Sequence, residues 1–534
     1  MRKDGKGNSS LRRSRLIKRQ PADSEPHSRE MTPARADREK VKIHLLKKSG
    51  ILQAVCRLAG ERRAEVHLVG GAVRDFLLNR PIGKDFDFVL PENAAAMAKD
   101  LARQLSGTAF LLDEAFGTWR VIVRKPEEKS EVDFCTLQGE NILADLRQRD
   151  FTVNSLAIRL ADIFQTENPL VIDPLGGLSD LRKGILRANS EDSLQRDPLR
   201  MLRAYRFAYT LGLKIDEDTV KAIGRNRKLI RLSAAERVRG EFFAALHQNR
   251  SAQLLRDLYR TGLLLELFPE IGEWENLPLS PAADFHLLEH AVQTVEMGEF
   301  LLAHLGDLLP PQAPLLEQHF AQAVEEGVSR KALFKFACFF HDSGKPNSRR
   351  KIPEAAGSRF LDHDQEGEGV NEGLGRRLKL SRRSLRILSR LTRQHMRLAS
   401  LAKGGAVTAR AKYRFFRDTG KEGLDLVLLS LANASASGKP GDSFDRFRAP
   451  SGDLGKIGET GKELLEYYYE DFSPRPPGPL LNGKEIMKSL RLTQSPLVGR
   501  LLGMLKEAEA SGRVRSREEA LEFIKNIDIS KPFV

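Results

Sequence analysis

Leu68-Val69-Gly70-Gly71-Ala72-Val73-Arg74-Asp75, followed by Lys84-Asp85-Phe86-Asp87-Phe88-Val89, decides how this chain folds. The first stretch reads as an apolar strand that ends in two glycines and opens a helix. Backbone N–H groups at such a turn can approach a phosphate without side-chain interference. In the second stretch the carboxylates at i and i+2 of a strand fall on one face, while Phe86 and Phe88 fall on the other. Two carboxylates so placed can bridge a pair of Mg²⁺ ions, as nucleotidyl transfer requires: one ion activates an attacking hydroxyl and the other neutralises the leaving pyrophosphate. Glu131-Val132-Asp133-Phe134 offers a further acid on a neighbouring strand. Asp133 is the candidate third ligand and Glu131 the fallback. Acids alternating with Phe also describe a half-buried strand with a solvated face; the glycine turn upstream favours the metal site.

Working outward, residues 43–160 alternate between helix and strand. The pattern predicts a helix over 43–59, a strand over 65–69, a helix from 72, a strand over 85–90 and a helix over 93–106. Strands follow near 109–112, 119–123 and 131–135. Beyond Leu186 helical periods dominate, broken by Pro/Gly-rich stretches. The expected architecture is α+β: a mixed-sheet head over 43–160, a helical neck over 161–275, a helical domain over 276–440 and a helical tail over 441–534. Residues 1–42 read as a disordered basic tail without the apolar stretch of a signal peptide.

At 534 residues the chain is long enough for several cores. No apolar run approaches the roughly 20 residues that cross a bilayer, which excludes a membrane-spanning role. Three cysteines, Cys56, Cys135 and Cys338, lack metal-type spacing and suit a reducing, cytoplasmic compartment. A net charge of +15 favours a polyanionic partner, and nucleic acid is the natural one.

The two opening motifs, read together, resemble the head of the class II tRNA nucleotidyltransferase and bacterial poly(A) polymerase family, a polymerase-β-type fold. Four further stretches continue the likeness in order. Arg149-Asp150-Phe151-Thr152-Val153-Asn154 resembles the ribose- and phosphate-contacting motif, and Asp173-Pro174-Leu175-Gly176-Gly177 resembles a hinge. Asp197-Pro198-Leu199-Arg200-Met201-Leu202-Arg203-Ala204-Tyr205-Arg206-Phe207 resembles the base-reading helix, and Glu236-Arg237-Val238-Arg239-Gly240-Glu241 the neck motif. The resemblance implies that Asp85, Asp87 and Asp133 are catalytic and that Asp85 and Asp87 bind Mg²⁺. It also implies that Gly70, Gly71, Arg74, Arg149, Asp150, Asn154, Asp197, Arg200, Arg203 and Arg206 bind the nucleotide. The implied substrates are ATP and CTP, with tRNA or another RNA 3′ end as acceptor.

Asp197 and Arg200 share one helix face at i and i+3. Cytosine and adenine each present an exocyclic amine beside a ring-nitrogen acceptor, which a carboxylate and a guanidinium can meet together. Alternatively, Asp197 only caps the helix and pairs with Arg200. The chain departs from the family pattern at Arg196, where Glu is usual, and at Gln148, where Arg is usual. CC, A-only and CCA addition therefore all stay open, as does poly(A) synthesis.

A second constellation is histidine-based. His286 and His290 stand at i and i+4 of an amphipathic helix, and His341-Asp342-Ser343-Gly344-Lys345-Pro346 closes another. The doublet resembles the HD phosphohydrolase domain, and His363 and His395 match the additional histidines of binuclear members. The resemblance implies that His290, His341, Asp342, His363 and His395 hold Mn²⁺, Ni²⁺ or Co²⁺ to activate water against a phosphodiester. Asn433 stands where a closing Asp is expected and is a poorer ligand. An HD fold serving only as an RNA scaffold, or an HD phosphohydrolase with an RNA-binding head, are the other readings. Near the C-terminus, Lys484, Lys488, Arg491 and Arg500 could follow an RNA backbone.

Overall fold

The computed structural model describes residues 39–81, 83, 85–114, 117–125, 128–279, 286–351, 360–436, 452–473 and 480–527. The expected disordered tail lies outside these residues up to 38, and a helix Glu39–Lys48 begins within its final stretch.

Seven strands form one mixed sheet: β1 His67–Val69, β2 Phe86–Leu90, β3 Thr108–Asp113, β4 Thr118–Lys125, β5 Glu128–Thr136, β6 Ala157–Arg159 and β7 Val171–Ile172. Their order is β3-β4-β5-β2-β1-β6-β7. Only β2 and β5 run parallel; the other neighbouring pairs are antiparallel. The alternation in β2 works as its sequence dictates: Phe86 and Phe88 are buried while Asp87 faces the cleft. Phe88 stacks on Phe134 of β5 with ring centroids 5.3 Å apart. Helices Gly50–Arg62 and Ala94–Gln104 cover the apolar face through Leu52, Val55, Met97 and Leu101, all buried.

The mixed-sheet head followed by helices is the expected architecture, with local differences. The helix expected over 43–59 is two, because Ser49 caps the second by accepting the Leu52 N–H at 3.4 Å. Asp85 precedes β2 rather than lying within it. The sheet reaches Ile172, past residue 160, since β7 pairs with β6. Strands do not vanish after Leu186: Ile185–Leu186 pairs with Lys214–Ile215, and Ala323–Glu325 with Val328–Ser329.

The helix Leu199–Leu211 leaves the head and packs on Ala235–His247. A helical body follows, its core dense in aromatic rings: Phe242, Phe268, Phe336, Phe340 and Trp274 meet edge to face or tilted. Buried within it, Arg330 donates to both oxygens of Asp425, which also meets His319 Nε2 at 2.8 Å. Helix Gly452–Tyr467 packs on Glu422–Ser435 with Gly461 set against Val427, so the body continues past residue 440. The last helices, Gly483–Leu490, Pro496–Ala510 and Arg517–Lys525, build a core of their own, around Ile486, Leu501, Leu505 and Ile524. Among the described residues no helix is long and apolar enough to cross a membrane.

Candidate active site and histidine cluster

One row of residues crosses the sheet: Ala157, Val69, Asp87, Asp133 and Arg120 are successive partners on β6, β1, β2, β5 and β4. Register therefore sets Asp87 beside Asp133 on one face. Arg120 answers Asp133 with Nε at 2.8 Å and Nη2 at 2.7 Å, and reaches Glu131 with Nη1 at 2.6 Å. Asp85, just ahead of β2, accepts the Glu131 N–H at 3.3 Å. Asp87 keeps an exposed edge in the cleft. Even so, surrounding protein desolvates its carboxyl and pushes it above the usual range; Arg149 opposes this and the Asp133 charge adds to it. These all-oxygen donors, with Asp87 short of compensating charge, fit a hard divalent cation. They are not drawn tight: among the described residues, the groups of three candidate ligand atoms mutually within 4.8 Å lie in the histidine cluster.

Gly70 turns above this row with φ of +71°, and a Cβ there would lie 3.3 Å from Asp87 Oδ2 and 3.5 Å from Arg149 Nη1. Glycine is thus required by both conformation and space. Below the turn, Arg74 is buried and donates to Asn154 Oδ1 at 2.6 Å; Asn154 donates to Asp150 Oδ1 at 3.1 Å. Arg203 grips Asp150 Oδ2 with Nε at 3.1 Å and Nη2 at 2.8 Å. Burial alone would raise the Asp150 carboxyl, but the Arg203 charge and the Asn154 hydrogen bond hold it below its ordinary value. Glu241 continues the chain by pairing with both Arg203 and Arg206. Phe207 packs under the three guanidinium groups, with Arg206 at 4.1 Å and Arg74 and Arg203 at 5.3 Å from its ring centre.

At the cleft rim, Asp197 and Arg200 do not pair with each other. Arg200 Nη1 donates to the carbonyls of Gln148 at 3.0 Å and Arg149 at 3.2 Å, and to Ser193. Asp197 Oδ1 accepts the Leu199 N–H at 3.3 Å, and Oδ2 meets Arg237 Nη2 at 2.9 Å. Arg120 belongs to no motif of the sequence, and Arg237 and Glu241 appear there only within the neck motif, without partners. A lone arginine in a strand carries no local signal, and its meaning lies in the register.

In the body, Asp342 stands at the centre of four imidazoles. Nε2 of His290 and His341 lie 3.4 Å and 3.1 Å from Oδ2; Nε2 of His363 and His395 lie 3.3 Å and 3.5 Å from Oδ1. Lys345 meets the same carboxylate at 2.5 Å. His286 stays outside, since the helix starts at Leu287 and His286 only precedes it. His341, His363 and His395 each set Nδ1 against a carbonyl three residues back, at 2.9, 2.7 and 2.6 Å. A carbonyl only accepts, so Nδ1 carries a proton, and in the neutral imidazole this leaves the Nε2 lone pair for a cation. His363 and His395 face each other Nε2 to Nε2 at 3.1 Å, and both would serve as ligands to a bound cation. Gly344 lets the helices close in: a Cβ would fall 2.1 Å from the His363 carbonyl oxygen. Asn433 lines, with His395, Lys403 and Lys456, a cavity of about 400 Å³.

Comparison with known proteins follows the same division. Residues 66–187 match the family described as "Poly A polymerase head domain", and residues 212–274 that described as "Probable RNA and SrmB- binding site of polymerase A". The chain is 34% identical to an A-adding tRNA nucleotidyltransferase of Deinococcus radiodurans, over 86% of this chain and 94% of that protein. It is 33% identical to a CC-adding tRNA nucleotidyltransferase of Thermus thermophilus, over 85% and 92%. The fold is similar to that of a Thermotoga maritima CCA-adding enzyme solved with tRNA, with a TM-score of 0.58, 20% identity and coverage of 92% and 97%. With the row of Asp87 and Asp133 under the Gly70 turn and relatives matched almost end to end, the chain belongs to the tRNA nucleotidyltransferase family.

Proposed function

We propose that this protein adds CMP, AMP or both to the 3′ end of tRNA without a template. The observation that carries the reading is the Asp87–Asp133 row beneath Gly70, tied through Asp150, Arg203 and Glu241 to the helix that bears Arg200. Asp85, Asp87 and Asp133 would hold Mg²⁺, which when bound promotes loss of the RNA 3′-hydroxyl proton and neutralises the leaving pyrophosphate. Gly70 leaves phosphate room beside Asp87, and Arg149 brings a guanidinium to the same spot. The buried chain from Arg74 to Glu241 fixes the ribose side of the cleft, so the nucleotide meets groups already in place. Arg200, pinned to carbonyls, offers its remaining N–H groups to a ring nitrogen, while Asp197 accepts from an exocyclic amine; cytosine and adenine satisfy both. Relatives named for A and CC addition to tRNA support tRNA as acceptor. Three free cysteines are in keeping with work in the cytoplasm.

The test incubates the protein with tRNAs lacking the whole 3′ terminal triplet, lacking only the last nucleotide, or complete, with each labelled NTP and Mg²⁺. Addition to the shortened tRNAs that disappears in Asp85→Ala is expected. Failure to incorporate any NTP on any RNA sinks the proposal, and a ladder of A on unrelated RNA would mark poly(A) synthesis instead.

The histidine cluster favours a second activity, metal-dependent phosphohydrolysis. His290, His341, Asp342, His363 and His395 would hold Mn²⁺, Ni²⁺ or Co²⁺, which when bound lowers the pKa of water. Phosphate release from a cyclic nucleotide that survives Asp85→Ala and is lost in His341→Ala would assign it; release unaffected by His341→Ala would refute it.

A further inference from the structure

We infer that Arg237 is a specificity-determining residue that controls which nucleotide Asp197 can read, and that Arg196 is what commits it to this task. The inference rests on the reading of Asp197 and Arg200 as the base-reading pair.

The two halves of that pair are held differently. Arg200 is anchored by Nη1 to the carbonyls of Gln148, Arg149 and Ser193, three fixed backbone points. It is half-buried, and these bonds fix the direction of its donors. Asp197 is held at both oxygens by one backbone N–H, that of Leu199 at 3.3 Å, and one movable side chain, Arg237 at 2.9 Å. Arg237 is 54% exposed at the side chain and reaches over from the neck helix Ala235–His247. An exocyclic amine that draws Asp197 inward therefore competes with Arg237 for Oδ2.

Charge at the rim decides how firmly Arg237 holds. Arg196 ends the helix Glu191–Arg196 immediately before Asp197, is exposed, and lies near enough to Arg200 to act on its charge. An acid at position 196 would give Arg237 a second partner and slacken its hold on Asp197. Arg196 offers Arg237 no second acid, which leaves Asp197 as the carboxylate that Arg237 meets.

The consequence differs between bases. With the ribose fixed by the same groups, the amine and ring nitrogen of adenine extend farther from the sugar than those of cytosine. Adenine meets Asp197 where Arg237 keeps it; cytosine needs Asp197 to swing inward and leave Arg237. The lock therefore favours ATP over CTP. Loosening it raises CTP use relative to ATP.

The test measures kcat/KM for CTP and for ATP on tRNAs lacking the corresponding 3′ nucleotides, in the wild type, Arg237→Ala, Arg237→Lys and Arg196→Glu. The CTP-to-ATP ratio is expected to rise about tenfold or more in Arg237→Ala and in Arg196→Glu, and to return toward the wild-type value in Arg237→Lys. A structural defect would lower both substrates together and leave the ratio in place. Should Arg237→Ala fail to fold, Arg196→Glu, a change at an exposed helix end, gives the same readout. A ratio within about twofold of wild type in both overturns the inference while leaving the transferase reading standing. No incorporation by the wild type would overturn that reading itself, and this inference with it.

Discussion

Arg120 holds Asp133 with both prongs of its guanidinium, Nε at 2.8 Å and Nη2 at 2.7 Å, across the antiparallel pair β4–β5. Asp133 is in turn the register partner of Asp87, so one cation steadies a run of acids that repel each other. Its own proton is held more tightly than usual, chiefly through the hydrogen bond to Asp133. Replacing Arg120 with Ala makes the cleft more negative and lets Asp133 wander. Two opposite effects are expected: half-activating Mg²⁺ falls, and kcat falls by about ten- to a hundredfold. A Mg²⁺ titration of nucleotide transfer reads both, and an unmoved midpoint would remove Arg120 from the electrostatics of the site.

Gly70 is the second test of the cleft. In Gly70→Ala the φ of +71° is strained and the new methyl presses on Asp87 Oδ2 and Arg149 Nη1. The strain costs about 1–2 kcal/mol, a shift of a few degrees in Tm. Displacement of Asp87 costs far more in function, on the order of a hundredfold in kcat/KM for the NTP. A loss confined to stability, with transfer intact, would separate the turn from the chemistry.

What the sequence disclosed and what it hid follow from range. The Asp-Phe alternation in β2 and the double glycine are local, so strand, face and turn could all be read from a few neighbours. Arg120 is equally close to the site, but its relation to Asp133 depends on how β4 and β5 register, which no window on one strand encodes. Arg237 and Asp197 lie 40 positions apart and meet only because the helices from Leu199 and Ala235 pack side by side. Asn154 and Arg74, 80 positions apart, are joined through the interior. His286 shows the opposite error: its spacing to His290 was helical, yet the chain is still extended there, with ψ of 161°. Periodicity gives the face of an element and not its first residue.

The histidine cluster makes a prediction independent of catalysis. Three Nε2 atoms converge on Asp342 with their Nδ1 protons already committed to carbonyls, so a transition metal finds imidazoles already oriented toward one carboxylate. Added Mn²⁺ or Co²⁺ is expected to raise Tm, by mass action on the folded state. EDTA should reverse the rise, and His341→Ala should abolish it. An identical shift in wild type and His341→Ala would place the metal elsewhere.

Asp425 tests the body of the molecule. Burial would raise its carboxyl, but Arg330 and His319 overcome that and hold it below the ordinary range. A carboxylate with a depressed native pKa contributes stability above the unfolded value, about 3.9. That contribution is lost as pH falls through the depressed native one. Asp425→Asn leaves Arg330 charged and buried, at a cost of about 3 kcal/mol in chemical denaturation at pH 7. The gap between wild type and variant should hold steady from neutral pH down to the carboxyl range and narrow below it. A constant gap at every pH would mean the pair acts through packing alone.

Glu507 joins the C-terminal helices to the body by charge. It is buried on the helix Pro496–Ala510 and accepts from Arg410 at 2.9 Å, Arg414 at 2.8 and 3.0 Å, and Arg417 at 2.6 Å. The three arginines lie on one face of the helix Ala409–Thr419, at i, i+4 and i+7. Because the terminal helices have a core of their own, their fold does not depend on this contact, but their docking does. Glu507→Ala leaves three guanidinium groups facing one another, and the unit should detach while remaining folded. Limited proteolysis is expected to release the terminal unit faster in the variant, with the released fragment itself resisting digestion. Raising salt should accelerate the wild-type cut toward the variant rate, since screening weakens partly exposed ion pairs. Equal cutting of both proteins at all salt concentrations would show that contacts other than Glu507 fasten the unit.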